Sequence, residues 1–231
     1  KIQVMIATGR AASTVYEYVR RLNMPQPLPV VCSNGARGLL CSIDDEQETT
    51  MATQGVHVQE LFSTPVPKSV VLKTLEIVKN NNQLVVQYYV GEDIYANPTT
   101  DSHRTLTEMY MELTGCKTKY VQDDFADAME REGLPSKMLV LCPTEEQKQV
   151  MSMFQNRMEV GEATLILGSP GGWFIEVLHP DVCKGHGLKR ITSEHLNIPL
   201  SDVVAFGDGD NDIEFVRDAG WGIAMKNGRD T

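Results

Sequence analysis

Basic residues are scarce in this chain relative to acidic ones: 21 Lys and Arg stand against 31 Asp and Glu, for a net charge of −10. A nucleic-acid backbone or an anionic membrane surface would meet net repulsion, although a local patch could still hold one phosphate. Cysteine is also sparse. The five, at positions 32, 41, 116, 142 and 183, form no Cys-x-x-Cys pair and are odd in number. That argues against a disulfide framework and fits isolated thiols in a reducing compartment. The histidines, at 57, 103, 179, 186 and 195, are too dispersed for a zinc site. No stretch approaches the roughly 20 apolar residues a membrane span needs, and no charged-then-apolar leader opens the chain. The expectation is a soluble cytoplasmic protein that binds neither nucleic acid nor membrane. What is present is globular. With 231 residues, 42% of them apolar, the chain can build a sizeable core over one or two domains, and disordered or fibrous readings fall away.

Both ends of the chain follow strand–turn–helix grammar. Ile2 to Ala7 reads as a buried strand, Thr8-Gly9-Arg10 as a turn, and Ala11 to Leu22 as a helix with Val15, Tyr18, Val19 and Leu22 on one face. After three prolines a short strand at Val30 to Cys32 exits through Ser33-Asn34-Gly35. A hairpin follows, with a protruding polar turn at Asp44 to Thr53 and a returning strand at Val56 to Leu61. From Pro65 the character changes. Helices are expected around Val71 to Val78, Leu106 to Leu113, Phe125 to Glu132 and Glu145 to Glu159. Strands are expected at Leu84 to Tyr89, Met138 to Leu141, Ala163 to Leu167 and Trp173 to Val177, the last two joined by a Gly/Pro turn at 168–172. The tail returns to a helix at Gly185 to Leu196, a strand at Val203 to Phe206, a helix at Ile213 to Asp218 and a strand at Gly222 to Ala224. The organisation predicted is a discontinuous parallel-sheet domain, residues 1–64 and 180–231, with an α+β domain, 65–179, inserted as a cap.

The densest chemical feature is Gly207-Asp208-Gly209-Asp210-Asn211-Asp212, directly after an apolar strand. Loops at the carboxyl ends of strands form the ligand crevice of open α/β sheets, and three acids crowded there repel one another unless a cation offsets them. Asp208 and Asp212 can offer a direct and a water-mediated oxygen to Mg²⁺, which keeps several waters and takes few protein ligands. The same residues also suit a solvated turn with a helix cap. An EF-hand does not fit, because Ile213 stands where glycine is required and Ala219 where glutamate is. Thr8-Gly9-Arg10 offers a hydroxyl and a compact backbone to an anion, or simply a Thr cap beside a surface arginine. Lys184 begins a helix, where a cation is disfavoured unless an anion sits against it; a plain surface lysine is the other reading. Trp173, Phe174, Tyr88 and Tyr89 read as core, and Ser169 lacks the nucleophile-elbow pattern.

Taken together these residues resemble the haloacid-dehalogenase-like phosphatases of the Cof type. Thr8-Gly9-Arg10 is similar to the family's second motif, Asn34-Gly35 to its Asn-Gly pair, and Lys184-Gly185, approached through 174–180, to its third motif. Gly207 to Asp212, continued by Ala219-Gly220 and by Gly222 to Asn227, resembles the fourth. The resemblance implies a three-layer Rossmann-like α/β core with a parallel sheet, an inserted cap, and Mg²⁺-dependent hydrolysis of a small phosphorylated metabolite such as a sugar phosphate. By it, Asp208 is a Mg²⁺ ligand and Asp212 orients or water-bridges the metal. Thr8 and Lys184 hold the transferring phosphoryl group and Asn211 holds phosphate or the metal shell. Gly9, Arg10 and Asn34 line the substrate crevice, and Glu176 organises the cap junction. A monomer or weak homodimer is expected.

The family's nucleophilic aspartate, with a second aspartate two residues later, stands in a strand upstream of the one that ends at Thr8. Lys1 opens on that later strand, and Asp44, Asp45, Asp93 and Asp101 sit in the wrong contexts to replace the nucleophile. The expectation is therefore an aspartyl-phosphate mechanism whose nucleophile segment lies outside the given residues, leaving this stretch alone inactive. The competing expectation is a non-catalytic phosphometabolite-binding or interaction protein.

Overall fold

The computed structural model describes residues 2–43, 53, 55–168 and 172–228. Its internal contacts divide the chain into two compact units, Lys1–Ser63 with Asp181–Thr231, and Thr64–Pro180. The expected turns at 44–53 and 168–172 lie largely outside the described residues.

The first unit opens with β1 (Ile6–Ala7), a 3-10 turn at Ala12–Thr14, α1 (Tyr16–Leu22), β2 (Leu28–Cys32), β3 (Arg37–Ser42) and β4 (His57–Ser63). These strands form a sheet in the order β1-β2-β3-β4, with β1 parallel to β2 and the other pairs antiparallel. The expected strand from Ile2 is shorter than its apolar run. Only Ile6 and Ala7 pair, with Val30 and Val31, and Ile2 is 86% exposed. An apolar run becomes strand only where its backbone finds a partner, and β2 meets it over those two residues alone. Tyr16 and Val19 of α1 pack on Leu28, Val30 and Leu39, so the apolar stripe of the helix covers one sheet face.

The second unit runs through α2 (Lys68–Lys79), β5 (Val85–Val90), β6 (Asp93–Ala96), α3 (Asp101–Thr114), β7 (Lys119–Tyr120), α4 (Ala126–Glu132), β8 (Lys137–Leu141), α5 (Gln147–Arg157), β9 (Thr164–Leu167) and β10 (Phe174–Leu178). Its six-stranded sheet has the order β7-β6-β5-β8-β10-β9. Alternation sorts the strand residues. Val86, Tyr88, Met138, Val140, Ile175 and Val177 join one core with residues of α2, α4 and α5. Their neighbours in sequence, Gln87, Tyr89, Lys137 and Glu176, point the other way yet are also buried. There Lys137 lies 3.5 Å from Glu176 and 4.8 Å above the Tyr89 ring, and Tyr110 of α3 sets its ring edge-on to Trp173 and Phe174. The four aromatics at 88, 89, 173 and 174 are core, each no more than 6% exposed. Strands β6 and β7 were not anticipated.

The chain returns to the first unit with α6 (Lys184–Lys189), a π-helical stretch at Arg190–His195, β11 (Val204–Gly207), α7 (Ile213–Asp218) and β12 (Trp221–Ala224), the last strand parallel to β11. The helix expected over 185–196 thus changes its winding half-way. Helix α6 is pressed between both parts of the unit. A Cβ on Gly187 would stand 2.5 Å from Val31 of β2, and one on Gly185 2.9 Å from Glu214 of α7. Met5 joins the same packing from both sides, against Val31 and Ile191 and against Leu188, Ala205 and Phe215. None of the helices is long and apolar enough to cross a membrane, among the described residues.

Candidate functional site

Thr8 follows β1 and Asp208 follows β11, so both stand at carboxyl ends of parallel strands, where α/β sheets hold their ligands. Around them, four loops of the first unit are tied by side-chain and backbone hydrogen bonds.

The Thr8 N–H extends the strand pairing by donating to the Val31 carbonyl at 2.8 Å, and its hydroxyl accepts the Arg10 N–H at 3.2 Å. Thr8 is half-buried and Arg10 is exposed. Beside them a concavity of about 610 Å³ is lined by Ile6, Thr8, Arg10, Val15, Tyr18 and Arg21, among others. The turn after β2 closes on this loop, with the Asn34 N–H donating to the Thr8 carbonyl at 3.1 Å and the Ser33 N–H to that of Arg10 at 2.9 Å. Asn34, expected to line the crevice, is only 2% exposed. Its side-chain oxygen accepts the Asn211 amide at 2.8 Å.

Lys184 is 7% exposed and its ammonium donates to Asp212 at 2.5 Å. The anion that a lysine at a helix start calls for is thus supplied from within the chain. The other oxygen of Asp212 accepts the backbone N–H groups of Asp208 at 2.9 Å and Gly209 at 3.0 Å. Burial alone would push the Asp212 carboxyl up, but the Lys184 ammonium and the two backbone donors outweigh it and hold it below the usual carboxylate range. Asp212 is therefore ionised, and both of its oxygens are engaged.

Asp208 differs. It is exposed, one oxygen accepts the Asn227 amide at 3.1 Å, and its Oδ1 accepts no hydrogen bond among the described residues. Asn227 reaches it because the Met225 N–H continues the pairing to Gly207 and the Gly228 N–H turns the chain back to the Met225 carbonyl. Reasoning from the residues alone gave Asn227 no role. The available signal is an Asn-Gly turn just past a strand on the edge that carries Asp208.

Mg²⁺ fits this donor set. A small hard cation that holds few protein ligands needs one or two carboxylates, with waters and phosphate oxygens for the rest. Asp208 has an oxygen to give, while Asp212 can act only through the loop or a water. Among the described residues no group of three or more His, Cys, Asp or Glu converges, so the chain supplies part of a shell and not a closed cage. Glu176 is buried in the second unit beside Lys137, four residues before that unit ends at Pro180.

Comparisons with known proteins give the family and the fold. Residues 1–231 match the model of the haloacid dehalogenase-like hydrolase family. The chain is 22% identical over 227 residues to a Bacillus subtilis protein named "Putative phosphatase YxeH", covering 98% of this chain and 75% of that one. Over 56 residues it is 43% identical to the 5-amino-6-(5-phospho-D-ribitylamino)uracil phosphatase YitU of Bacillus subtilis, 24% of this chain and 20% of that one. Among solved structures it is similar to TM0651 of Thermotoga maritima, with a TM-score of 0.75 at 19% identity over 100% of this chain and 76% of that one. A sugar phosphatase of haloacid dehalogenase subclass IIB, BT4131, gives a TM-score of 0.70 at 19% identity over 99% of this chain and 75% of that one. With a family match over the whole of residues 1–231, the chain belongs to the Cof-type haloacid dehalogenase-like hydrolases.

Proposed function

We propose that this chain is the greater part of a Mg²⁺-dependent phosphomonoesterase that acts on a sugar phosphate or a related small phosphometabolite in the cytoplasm. The observation that carries the reading is the run of hydrogen bonds that leads from Thr8 through Asn34 to Asn211, and from the neighbouring Asp212 both to Lys184 and to the backbone of the exposed Asp208.

The roles follow from what each side chain has left to offer. The Thr8 hydroxyl accepts from the Arg10 N–H, which leaves its own proton to donate to a phosphoryl oxygen. The Lys184 ammonium has three protons and commits one to Asp212, leaving donors for the same group. Both are held before any substrate arrives, which lets them stabilise charge on the equatorial oxygens of the transferring group without reorganising. Gly9 and Arg10 are assigned to the substrate side, and Asn211 to the phosphate or the metal shell. Asp208 would hold Mg²⁺, which when bound supplies charge neutralisation at the phosphoryl oxygens.

The acceptor of the phosphoryl group is proposed to be an aspartate carried outside residues 1–231, giving an aspartyl-phosphate. The sheet supports a strand-borne nucleophile. Among the described residues β1 pairs only with β2 and β11 only with β12, which leaves one edge of β1 and one edge of β11 open beside the Thr8 and Asp208 loops. Selection among phosphorylated metabolites is assigned to the inserted unit. The test is phosphate release by the full polypeptide from a panel of hexose, pentose and nucleotide phosphates, with Mg²⁺ and with EDTA. Turnover of at least one sugar phosphate that EDTA abolishes supports the proposal. No release from any member of the panel, or release indifferent to EDTA, overturns it.

A further inference from the structure

The turn after β2 has an unusual backbone. Ser33, Asn34 and Gly35 all take positive φ, at +50°, +57° and +104°, and two of the three are not glycine. All three are buried. Residues in the left-handed region persist only where their surroundings dictate it, and such positions gather at functional sites. Here the surroundings are three other loops. The Ser33 and Asn34 N–H groups are taken by the carbonyls of Arg10 and Thr8. The Asn34 side chain lies so close to Gly9 that a Cβ there would stand 2.6 Å from its oxygen. Gly35 presses on the Cys183 carbonyl, immediately before Lys184, and Gly187 packs onto its Cα. The Asn34 oxygen then receives the Asn211 amide, from a residue 177 positions away.

We propose that Asn34 is a positioning residue, whose amide oxygen ties the Asp208–Asp212 loop to the Thr8–Gly9–Arg10 loop instead of contacting the substrate. Asparagine suits the task on two counts. It tolerates left-handed backbone better than most residues with a side chain. It also presents an uncharged acceptor, where aspartate would add a fourth carboxylate to a loop cluster that already holds Asp208, Asp210 and Asp212. The importance of the fixed spacing for turnover rests on the phosphatase reading above, but the tie itself can be read without turnover.

The experiment compares wild-type full polypeptide with Asn34→Gly, Asn34→Asp and Asn211→Ala. Asn34→Gly keeps the backbone conformation and deletes the tie, and Asn34→Asp restores an acceptor for the Asn211 amide. Hydrogen–deuterium exchange without substrate should quicken about tenfold at residues 207–212 in Asn34→Gly, with residues 138–141 unchanged. Asn34→Asp, which restores the acceptor but adds a fourth carboxylate, should recover part of the protection. Should Asn34→Gly not fold, Asn211→Ala reads the same tie from its other end, as faster exchange at residues 33–36. In steady-state assays kcat should fall on the order of 100-fold, by one factor for p-nitrophenyl phosphate and a hexose phosphate, with KM little changed. Adding Asn34→Gly to Asn211→Ala should cost little more than Asn211→Ala alone. Unchanged exchange at 207–212, or KM shifts that differ between the two substrates while kcat holds, would overturn the assignment. A wild-type protein without phosphatase activity would sink the phosphatase reading, and the exchange comparison would still decide the tie.

Discussion

Lys184 and Asp212 form a buried ion pair, their side chains 8% and 9% exposed and their charged atoms 2.5 Å apart. The pair joins the first turn of α6 to the loop after β11, and the second oxygen of Asp212 secures that loop through the N–H groups of Asp208 and Gly209. The cation proposed to bind the phosphoryl group is thereby fixed by the same carboxylate that shapes the Asp208 loop, so the geometry of one is tied to the other.

Replacing Lys184 with Met therefore does two things. It removes a donor from the proposed phosphoryl site, and it leaves Asp212 buried without its partner, a change that costs about 3–5 kcal/mol in comparable buried pairs. Denaturant melts of Lys184→Met should show that loss, and the double variant Lys184→Met with Asp212→Asn should regain part of it. Activity should stay low in both. Equal stability of wild type and Lys184→Met would mean that the pair does not form in solution.

Gly35 and Gly91 make a matched comparison. Both take positive φ, +104° and +53°, but a Cβ on Gly35 would overlap the Cys183 carbonyl whereas one on Gly91 meets nothing within 4 Å. Gly91→Ala should cost about 1 kcal/mol for its backbone alone. Gly35→Ala should cost distinctly more and lower kcat as well, since Lys184 is the next residue after Cys183. Thermal melts of the two variants check the ranking; equal losses would contradict it.

How far the sequence foretold this can be judged element by element. The β11–loop–α7 segment was legible because an apolar run, an acidic glycine loop and a helical stripe follow one another without ambiguity. Helices α2 and α3 announced themselves by spacing. Strands β6 and β7 did not, since segments of four and two residues carrying Asp93 and Lys119 have no periodicity to read and owe their pairing to β5 and to each other. The π-helical winding was hidden too. It buries Ile191 and Thr192, and nothing in their spacing marks the change of winding. At the site, residue types pointed to Thr8, Lys184 and Asp208, because hydroxyl, ammonium and carboxylate declare their chemistry. The Asn34–Asn211 tie was illegible, for a bond across 177 positions leaves no mark in spacing.

Tyr88 gives the second unit a pH signature. It is fully buried, stacks on Phe125 at 5.4 Å and donates its hydroxyl to the Gly133 carbonyl at 2.7 Å. Burial first, and the nearby Glu132 second, push that hydroxyl up to about 12 from an ordinary 10.0. The folded protein holds the proton more tightly than the unfolded chain. Its contribution to stability is therefore complete below pH 10 and is lost as pH rises through about 12. Stability curves for wild type and Tyr88→Phe should converge over that window. Parallel curves there would contradict the burial argument.

The most direct test of the account is phosphate release by the full polypeptide carrying Asp208→Asn, measured against wild type across a Mg²⁺ titration with a turned-over sugar phosphate. The account predicts that kcat/KM falls on the order of 100-fold or more and that the remaining activity no longer saturates with Mg²⁺ at the wild-type concentration. A variant with wild-type turnover and an unshifted Mg²⁺ curve would remove Asp208 from the metal and leave the proposed chemistry without its centre.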